Sequence, residues 1–168
     1  MERQPVVFDK FKSIDTLIFD VDGVWTNGDL LITEDGGLLR TMNTKDGYAG
    51  VKAVKAGYQL IVISGGTSKG VEDRLRKLGM SEVHIGVQDK MALFNDMVAA
   101  GKINPGTSLF VGDDLPDFDV LKAVYLSCCP ADAVPELLDE CEYISPYEGG
   151  KGCVRDIIER VMRSQDKW

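Results

Sequence analysis

Four short apolar runs each end in a cluster of chemically active residues, and this spacing constrains the chain more than any other feature. Ile14–Phe19 stops at Asp20-Val21-Asp22-Gly23, and Gln59–Ile63 stops at Ser64-Gly65-Gly66-Thr67. Val83–Ile85 leads into Gly86-Val87-Gln88-Asp89-Lys90, and Ser108–Val111 into Gly112-Asp113-Asp114-Leu115-Pro116-Asp117. Val124–Ser127 reads as a fifth run. Short continuous apolar runs bounded by Gly, Ser or Asp are the pattern of parallel strands covered on both faces. Helix-spaced stretches lie between them. Val71, Leu75 and Leu78 precede Gly79; Asp89 is placed to cap a stripe of Leu93, Phe94, Met97 and Val98; Val154, Ile157, Ile158, Val161 and Met162 form a last stripe. The alternation predicts an α/β fold with a doubly wound, Rossmann-like parallel sheet.

One segment departs from the alternation. Leu30–Thr33, Glu34-Asp35-Gly36-Gly37 and Leu38–Met42 read as a β-hairpin, over about residues 29–42, inserted directly after the first strand. An isolated two-stranded hairpin is marginal in water, so this one is expected to pack on something, and a partner subunit is the natural candidate. No repeat, low-complexity run or linker interrupts the 168 residues, which read as one domain, 1–168.

Composition closes off several classes. A net charge of −8 argues against a nucleic-acid binder. Four cysteines, at 128, 129, 141 and 153, with one histidine, His84, give neither the number nor the spacing of a zinc site. His84 reads as structural. The start of the chain has no apolar stretch of signal-peptide type, and no run approaches the ~20 apolar residues of a membrane span. A cytoplasmic protein with reduced thiols, bound to neither membrane nor nucleic acid, is expected.

Open α/β sheets bind ligands at the carboxyl ends of their strands. Here those ends gather carboxylates, one hydroxyl and one ammonium. The carboxylates would repel one another unless a cation sat among them, and hard oxygen ligands favour Mg2+. Asp20 and Asp22 are two apart in an extended segment, so both side chains can face one side. One can attack phosphorus while the other protonates the leaving oxygen. Ser64 and Lys90 would bind the transferring phosphoryl group, and Asp20 and Asp113 would hold Mg2+.

These four motifs, in this order, resemble those of the haloacid dehalogenase superfamily of phosphatases. The resemblance implies an aspartyl-phosphate on Asp20, general acid/base work by Asp22, a backbone carbonyl of Asp22 on the metal beside Asp20 and Asp113, and supporting carboxylates at Asp114 and Asp117. It narrows further. Asp22–Gly28, the immediate hairpin, Asn43-Thr44-Lys45-Asp46-Gly47, and Glu148–Gly152 with Arg155 look like the cap-less branch, over roughly residues 12–163. That adds Gly65, Thr26 and Lys151 as substrate-side candidates. It implies hydrolysis of a phosphorylated 3-deoxy-2-keto sugar acid, octulosonate 8-phosphate first and a nonulosonate 9-phosphate second. It also implies a place in the supply of a lipopolysaccharide sugar acid. The branch is homotetrameric: hairpins join into a barrel, and a neighbouring subunit covers each site. Two positions depart from the pattern. Gly66 stands where octulosonate enzymes commonly carry Arg, and Asn27 where Asp is common.

Blander readings compete at each position. Asp-x-Asp-Gly alone is often a turn or a helix cap, Ser64 alone a cap for the next helix, and Lys90 alone a solvated first-turn lysine. Asp114 and Asp117 can serve as helix-start caps, and Gly149-Gly150-Lys151-Gly152 as a plain turn. The segment Gly65–Gly70 lacks the phosphate-loop pattern. A non-catalytic tetramerisation module, of the kind attached to a sugar-nucleotide synthetase, is set against the intact Asp20, Asp22, Lys90 and Asp113. A phosphoacceptor receiver domain needs its acceptor Asp after a middle strand, where this chain has Ser64 or Gly86.

Overall fold

The computed structural model describes residues 3–168, with side chains from Val7 onward; Met1 and Glu2, part of the expected domain 1–168, lie outside the described residues. In chain order the elements are α1 (Arg3–Lys10), β1 (Thr16–Phe19), β2 (Leu31–Ile32), β3 (Leu38–Leu39), α2 (Thr44–Lys55), β4 (Gln59–Ile63), α3 (Lys69–Lys77) and β5 (Glu82–His84). They continue with α4 (Lys90–Ala99), β6 (Ser108–Val111), α5 (Phe118–Ala123), β7 (Leu126–Cys129), α6 (Pro135–Glu140), β8 (Tyr143–Ile144) and α7 (Cys153–Ser164).

Six strands form one parallel sheet in the order β5-β4-β1-β6-β7-β8. The central β1 pairs Phe19 with Val62 of β4 on one side and Val111 of β6 on the other. The chain winds outward from β1 in both directions, so the winding reverses at its carboxyl end. A crevice opens at such a point in a doubly wound sheet.

Strand periodicity divides the core into two layers. Leu17, Phe19, Leu60, Val62, Leu109 and Val111 face α2, α3 and α7, with Trp25 among them. Ile18, Ile61, Ile63 and Phe110 face the opposite way, toward α4, α5 and α6. All ten strand residues are at most 1% exposed, which explains why the strands read as unbroken apolar runs rather than alternating ones.

The helices start where side chains cap them. Ser68 Oγ accepts from the Val71 N–H, so Ser68 rather than Ser64 caps α3. Asp89 Oδ1 accepts from the Ala92 N–H at 2.8 Å and sets Lys90 as the first residue of α4. α7 buries all five residues of its expected stripe. Its N-cap, Gly152, has no side chain to offer. Asp46, on the first turn of α2, supplies the acceptor instead, taking the Arg155 N–H at 2.8 Å.

Two expectations shift. The fifth strand lies at 126–129, not 124–127. The Tyr125 N–H closes the end of the β6 connection by donating to the carbonyls of Pro105 and Ser108, and the strand continues through the fully buried Cys128 and Cys129. The hairpin forms, but its ladder is short: Leu31 pairs with Leu39 and Ile32 with Leu38, and all four side chains are exposed.

Candidate active site

The loop after β1 turns sharply, with the Val24 and Thr26 N–H groups both donating to the Val21 carbonyl at 3.1 Å. Gly23 adopts φ +83°, and a Cβ there would lie 1.8 Å from Asp113 Oδ2. Only glycine lets the Asp113 carboxylate stand against this loop. The turn after β6 brings Asp113, Asp114 and Asp117 to the same edge, and the loop after β4 brings Ser64, Gly65 and Gly66. Asp20, Asp22, Ser64, Gly65, Lys90, Asp113, Asp114 and Asp117 all line one open cavity of about 310 Å3.

Lys90 is the cationic centre of that cavity and is only 7% exposed, so the solvated reading does not apply. Its ammonium donates to Asp117 Oδ1 at 2.7 Å and lies 2.9 Å from Asp20 Oδ1. Burial pulls the Lys90 pKa down, but Asp20 and Asp117 outweigh it and hold it above the ordinary lysine value. Asp117 is 1% exposed and is no helix cap: its second oxygen accepts from the Asp113 N–H at 3.1 Å. Asp114 is the cap, accepting the Leu115 N–H at 2.7 Å, and its side chain borders the cavity as well. Ser64 Oγ accepts from the Gly66 N–H at 3.2 Å, which leaves its own proton for a ligand.

The charges do not balance within this set. Burial, reinforced by Asp117, pushes Asp20 up to about 7 against the pull of Lys90. Burial, reinforced by Asp20, Asp117 and Asp114, pushes Asp113 up to about 8. One lysine faces two buried carboxyl groups, Asp20 and Asp117, and the half-buried Asp113. Asp20 Oδ1 is buried, and the Lys90 ammonium 2.9 Å away is poorly aligned to donate to it. Ligand atoms of Asp20, Asp113 and Asp117 lie within 4.8 Å of one another. An all-oxygen set with excess negative charge suits a small hard divalent cation such as Mg2+. Asp117 enters this triad geometrically, yet its bond to Lys90 makes it the anchor of the lysine.

Two expected substrate-side residues stand elsewhere. Thr26 is fully buried inside the β1 loop: its hydroxyl accepts from the Gly23 and Gly28 N–H groups and donates to Asp22 Oδ1. Its place is to hold that loop rather than to line the cavity. Lys151 pairs with Glu148 at the surface and borders no part of the cavity. The loop that carries it packs backbone to backbone on the β1 loop, where a Cβ at Gly149 would lie 1.9 Å from the Gly23 carbonyl oxygen. The Glu148–Gly152 segment therefore buttresses the site from behind.

One residue went unnoticed in the sequence. Arg40, just beyond β3, forks onto Asp22: Nε donates to Oδ1 at 2.6 Å and Nη2 to Oδ2 at 3.0 Å. Eighteen residues separate the pair, and no local pattern joins them; Gly66, where a Cβ would lie 3.1 Å from Asp22 Oδ2, is the one nearby departure from the expected pattern.

Among curated proteins, the chain is 35% identical over 163 residues to the 3-deoxy-D-manno-octulosonate 8-phosphate phosphatase KdsC of Salmonella typhimurium, covering 97% of this chain and 87% of that one. The chain belongs to the 3-deoxy-D-manno-octulosonate 8-phosphate phosphatase family, within the haloacid dehalogenase superfamily. KdsC of Escherichia coli K12 is likewise 35% identical, over 96% of this chain and 86% of its own. The crystal structure of the Yersinia pestis phosphatase superposes with a TM-score of 0.92 at 33% identity, covering 96% of this chain and 87% of that one. The Moraxella catarrhalis phosphatase, solved with magnesium, phosphate and KDO, superposes with a TM-score of 0.91 at 26% identity, covering 97% and 94%. No family model matches the chain.

Proposed function

We propose that the chain is a Mg2+-dependent phosphatase of 3-deoxy-D-manno-octulosonate 8-phosphate. The observation that carries this reading is the convergence of Asp20, Asp22, Lys90, Asp113 and Asp117 on one cavity at the carboxyl edge of β1. Its support from relatives is the Salmonella phosphatase at 35% identity and the Moraxella phosphatase bound to magnesium, phosphate and KDO. A nonulosonate 9-phosphate is the alternative substrate, since Gly66 leaves the cavity without the side chain that octulosonate enzymes commonly carry there.

In this reading a carboxylate oxygen of Asp20 attacks phosphorus, and the bond from phosphorus to the sugar oxygen breaks. Asp22 gives its proton to that leaving oxygen. Asp22 then takes a proton from water, whose oxygen attacks the aspartyl-phosphate; the bond to Asp20 breaks and inorganic phosphate leaves. Lys90 and the Ser64 hydroxyl hold the phosphoryl oxygens, and Asp117 fixes the lysine. Asp20 and Asp113, with the Asp22 backbone carbonyl, would hold Mg2+, which supplies charge compensation for two anions brought together.

The assembly belongs to the same reading: a homotetramer with sites at subunit interfaces. Its support is the hairpin, where Leu31 and Ile32 are 67% and 70% exposed and Leu38 and Leu39 about half exposed. So much apolar surface on a two-stranded ribbon favours burial against another copy. Among the described residues no helix is long and apolar enough to cross a membrane. The four cysteines are free and buried, which supports a reducing compartment such as the cytoplasm.

The test is phosphate release from octulosonate 8-phosphate, with Mg2+ and with chelator, beside a nonulosonate 9-phosphate. Metal-dependent preference for the octulosonate is expected. Asp20→Asn is expected to lower turnover by roughly 1,000-fold or more, as loss of a covalent nucleophile does. Full turnover by Asp20→Asn would overturn the mechanism, and preference for the nonulosonate would change the substrate.

A further inference from the structure

Asp22 borders the catalytic cavity, yet both its carboxylate oxygens are engaged by Arg40. Arg40 Nη1 is tied to the Leu38 carbonyl at 3.2 Å, so the guanidinium is fixed to the hairpin and to Asp22 at once. It stands over Gly66. A Cβ at position 66 would lie 3.1 Å from Asp22 Oδ2 and 3.4 Å from Arg40 Nη2. The guanidinium thus lies next to the cavity, in a narrow pocket that it shares with Asp22, Ser64 and Gly66. On its other side Arg40 lines a cleft of about 280 Å3 beneath the hairpin, bounded also by Leu38, Met42, Ser68 and Arg74. Arg40 therefore stands behind Asp22 and Gly66, between these two residues of the catalytic cavity and a second cleft.

We propose that Arg40 is the specificity-determining residue that recognises a carboxylate on the substrate, and that Asp22 holds it in place until that carboxylate arrives. This rests on the reading that the substrate is a sugar acid phosphate. A guanidinium fork binds a carboxylate by two parallel hydrogen bonds, and in the free enzyme Asp22 supplies that partner. Exchanging one carboxylate for another preserves the pairing, so the exchange has no large intrinsic cost. Arg40 then moves onto the substrate, and Asp22, freed of the guanidinium, takes up from solvent the proton that it passes to the leaving oxygen. A sugar phosphate without a carboxylate offers nothing to draw Arg40 away, and Asp22 stays engaged. Discrimination of this kind appears in kcat more than in KM, because it acts on a group needed in the transition state.

The experiment compares kcat/KM for octulosonate 8-phosphate with that for ribose 5-phosphate, in wild type, Arg40→Met, and the double variant Arg40→Ala/Gly66→Arg. The ratio of the two values does not depend on how much of each preparation is folded. Arg40→Met is expected to lower the wild-type ratio roughly 10–100-fold, the range for losing a charged hydrogen-bonding pair, with most of the change in kcat. The double variant places a guanidinium beside Asp22 from position 66 and is expected to recover part of the ratio. An unchanged ratio in Arg40→Met, with wild type preferring the octulosonate, overturns the assignment of Arg40 alone. A wild type without preference for the carboxylate-bearing substrate overturns both this assignment and the sugar-acid reading.

Discussion

Lys90 Nζ stands 2.7 Å from Asp117 Oδ1, and both side chains are buried. The pair joins the start of α4 to the turn after β6 and aims the lysine at Asp20, 2.9 Å away. Removing Asp117 leaves Lys90 with Asp20 alone and takes the acceptor from the Asp113 N–H, losses of charged hydrogen bonds that typically cost about 1–3 kcal/mol. Asp117→Ala is therefore expected to destabilise by about that amount in urea denaturation. The double variant Lys90→Met/Asp117→Leu removes both charges and is expected to recover most of the stability while abolishing turnover. A double variant as unstable as Asp117→Ala would mean that packing, not charge, dominates this joint.

The carboxyl groups make stability depend on pH. An unfolded Asp releases its proton near 3.8, whereas folded Asp20 and Asp113 hold theirs until about 7 and about 8. Between those values the folded state binds more protons than the unfolded state, so stability falls as pH rises through that window. The contribution is on the order of a few kcal/mol. A divalent cation binds the ionised carboxylates, so its stabilising effect grows as protons leave. The melting temperature of chelated protein is expected to decline from pH 5 to 8, and added Mg2+ to raise it more at pH 8 than at pH 6. Equal increments at both pH values would argue against Asp20 and Asp113 as the ligands.

Asp46 joins α2 to α7 away from the cavity. One oxygen takes the Arg155 N–H, and the other is buried without a partner. Burial raises its pKa despite the backbone donors of Arg155 and Gly152. Because Gly152 has no capping side chain, Asp46→Ala removes the acceptor of the α7 N-terminus. The expected loss is about 1–2 kcal/mol, a fall of roughly 2–8 °C in melting temperature, with kcat/KM per folded molecule retained. A loss below about 0.3 kcal/mol would show that water replaces the carboxylate.

The legible parts of the chain are those where local pattern and burial agree. The strands β1, β4 and β6 are covered on both faces, so each reads as an apolar run and its last residue marks the catalytic edge. Asp89 was legible as a cap for the same local reason. α2 was not: Gly47 and Gly50 dilute its apolar stripe. The reason for Gly50 lies across the fold, where a Cβ would come within 3.0 Å of Met80 Cε and 3.2 Å of Trp25 Cη2. β8, two residues long, has no period to read. Arg40 was missed because its partner is set by the path of the hairpin, and the place of Lys151, paired with Glu148 outside the cavity, is set by packing that a glycine-rich turn does not reveal.

The hairpin links assembly to the site. Leu31 and Ile32 point into solvent, so Asp at both positions is expected to change monomer stability by no more than about 0.5 kcal/mol per substitution. In a tetramer built on these ribbons the same Leu31→Asp/Ile32→Asp protein would place like charges in an apolar contact. It is expected to run as a monomer in light scattering after gel filtration, where wild type runs as a tetramer. Arg40 lies one residue beyond β3, so the loss of ribbon contacts is also expected to loosen its hold on Asp22. The monomer would then turn over substrate more slowly at equal chain concentration. A variant that remains tetrameric would place the subunit contact elsewhere, and a fully active monomer would separate the hairpin's assembly role from its position beside Asp22.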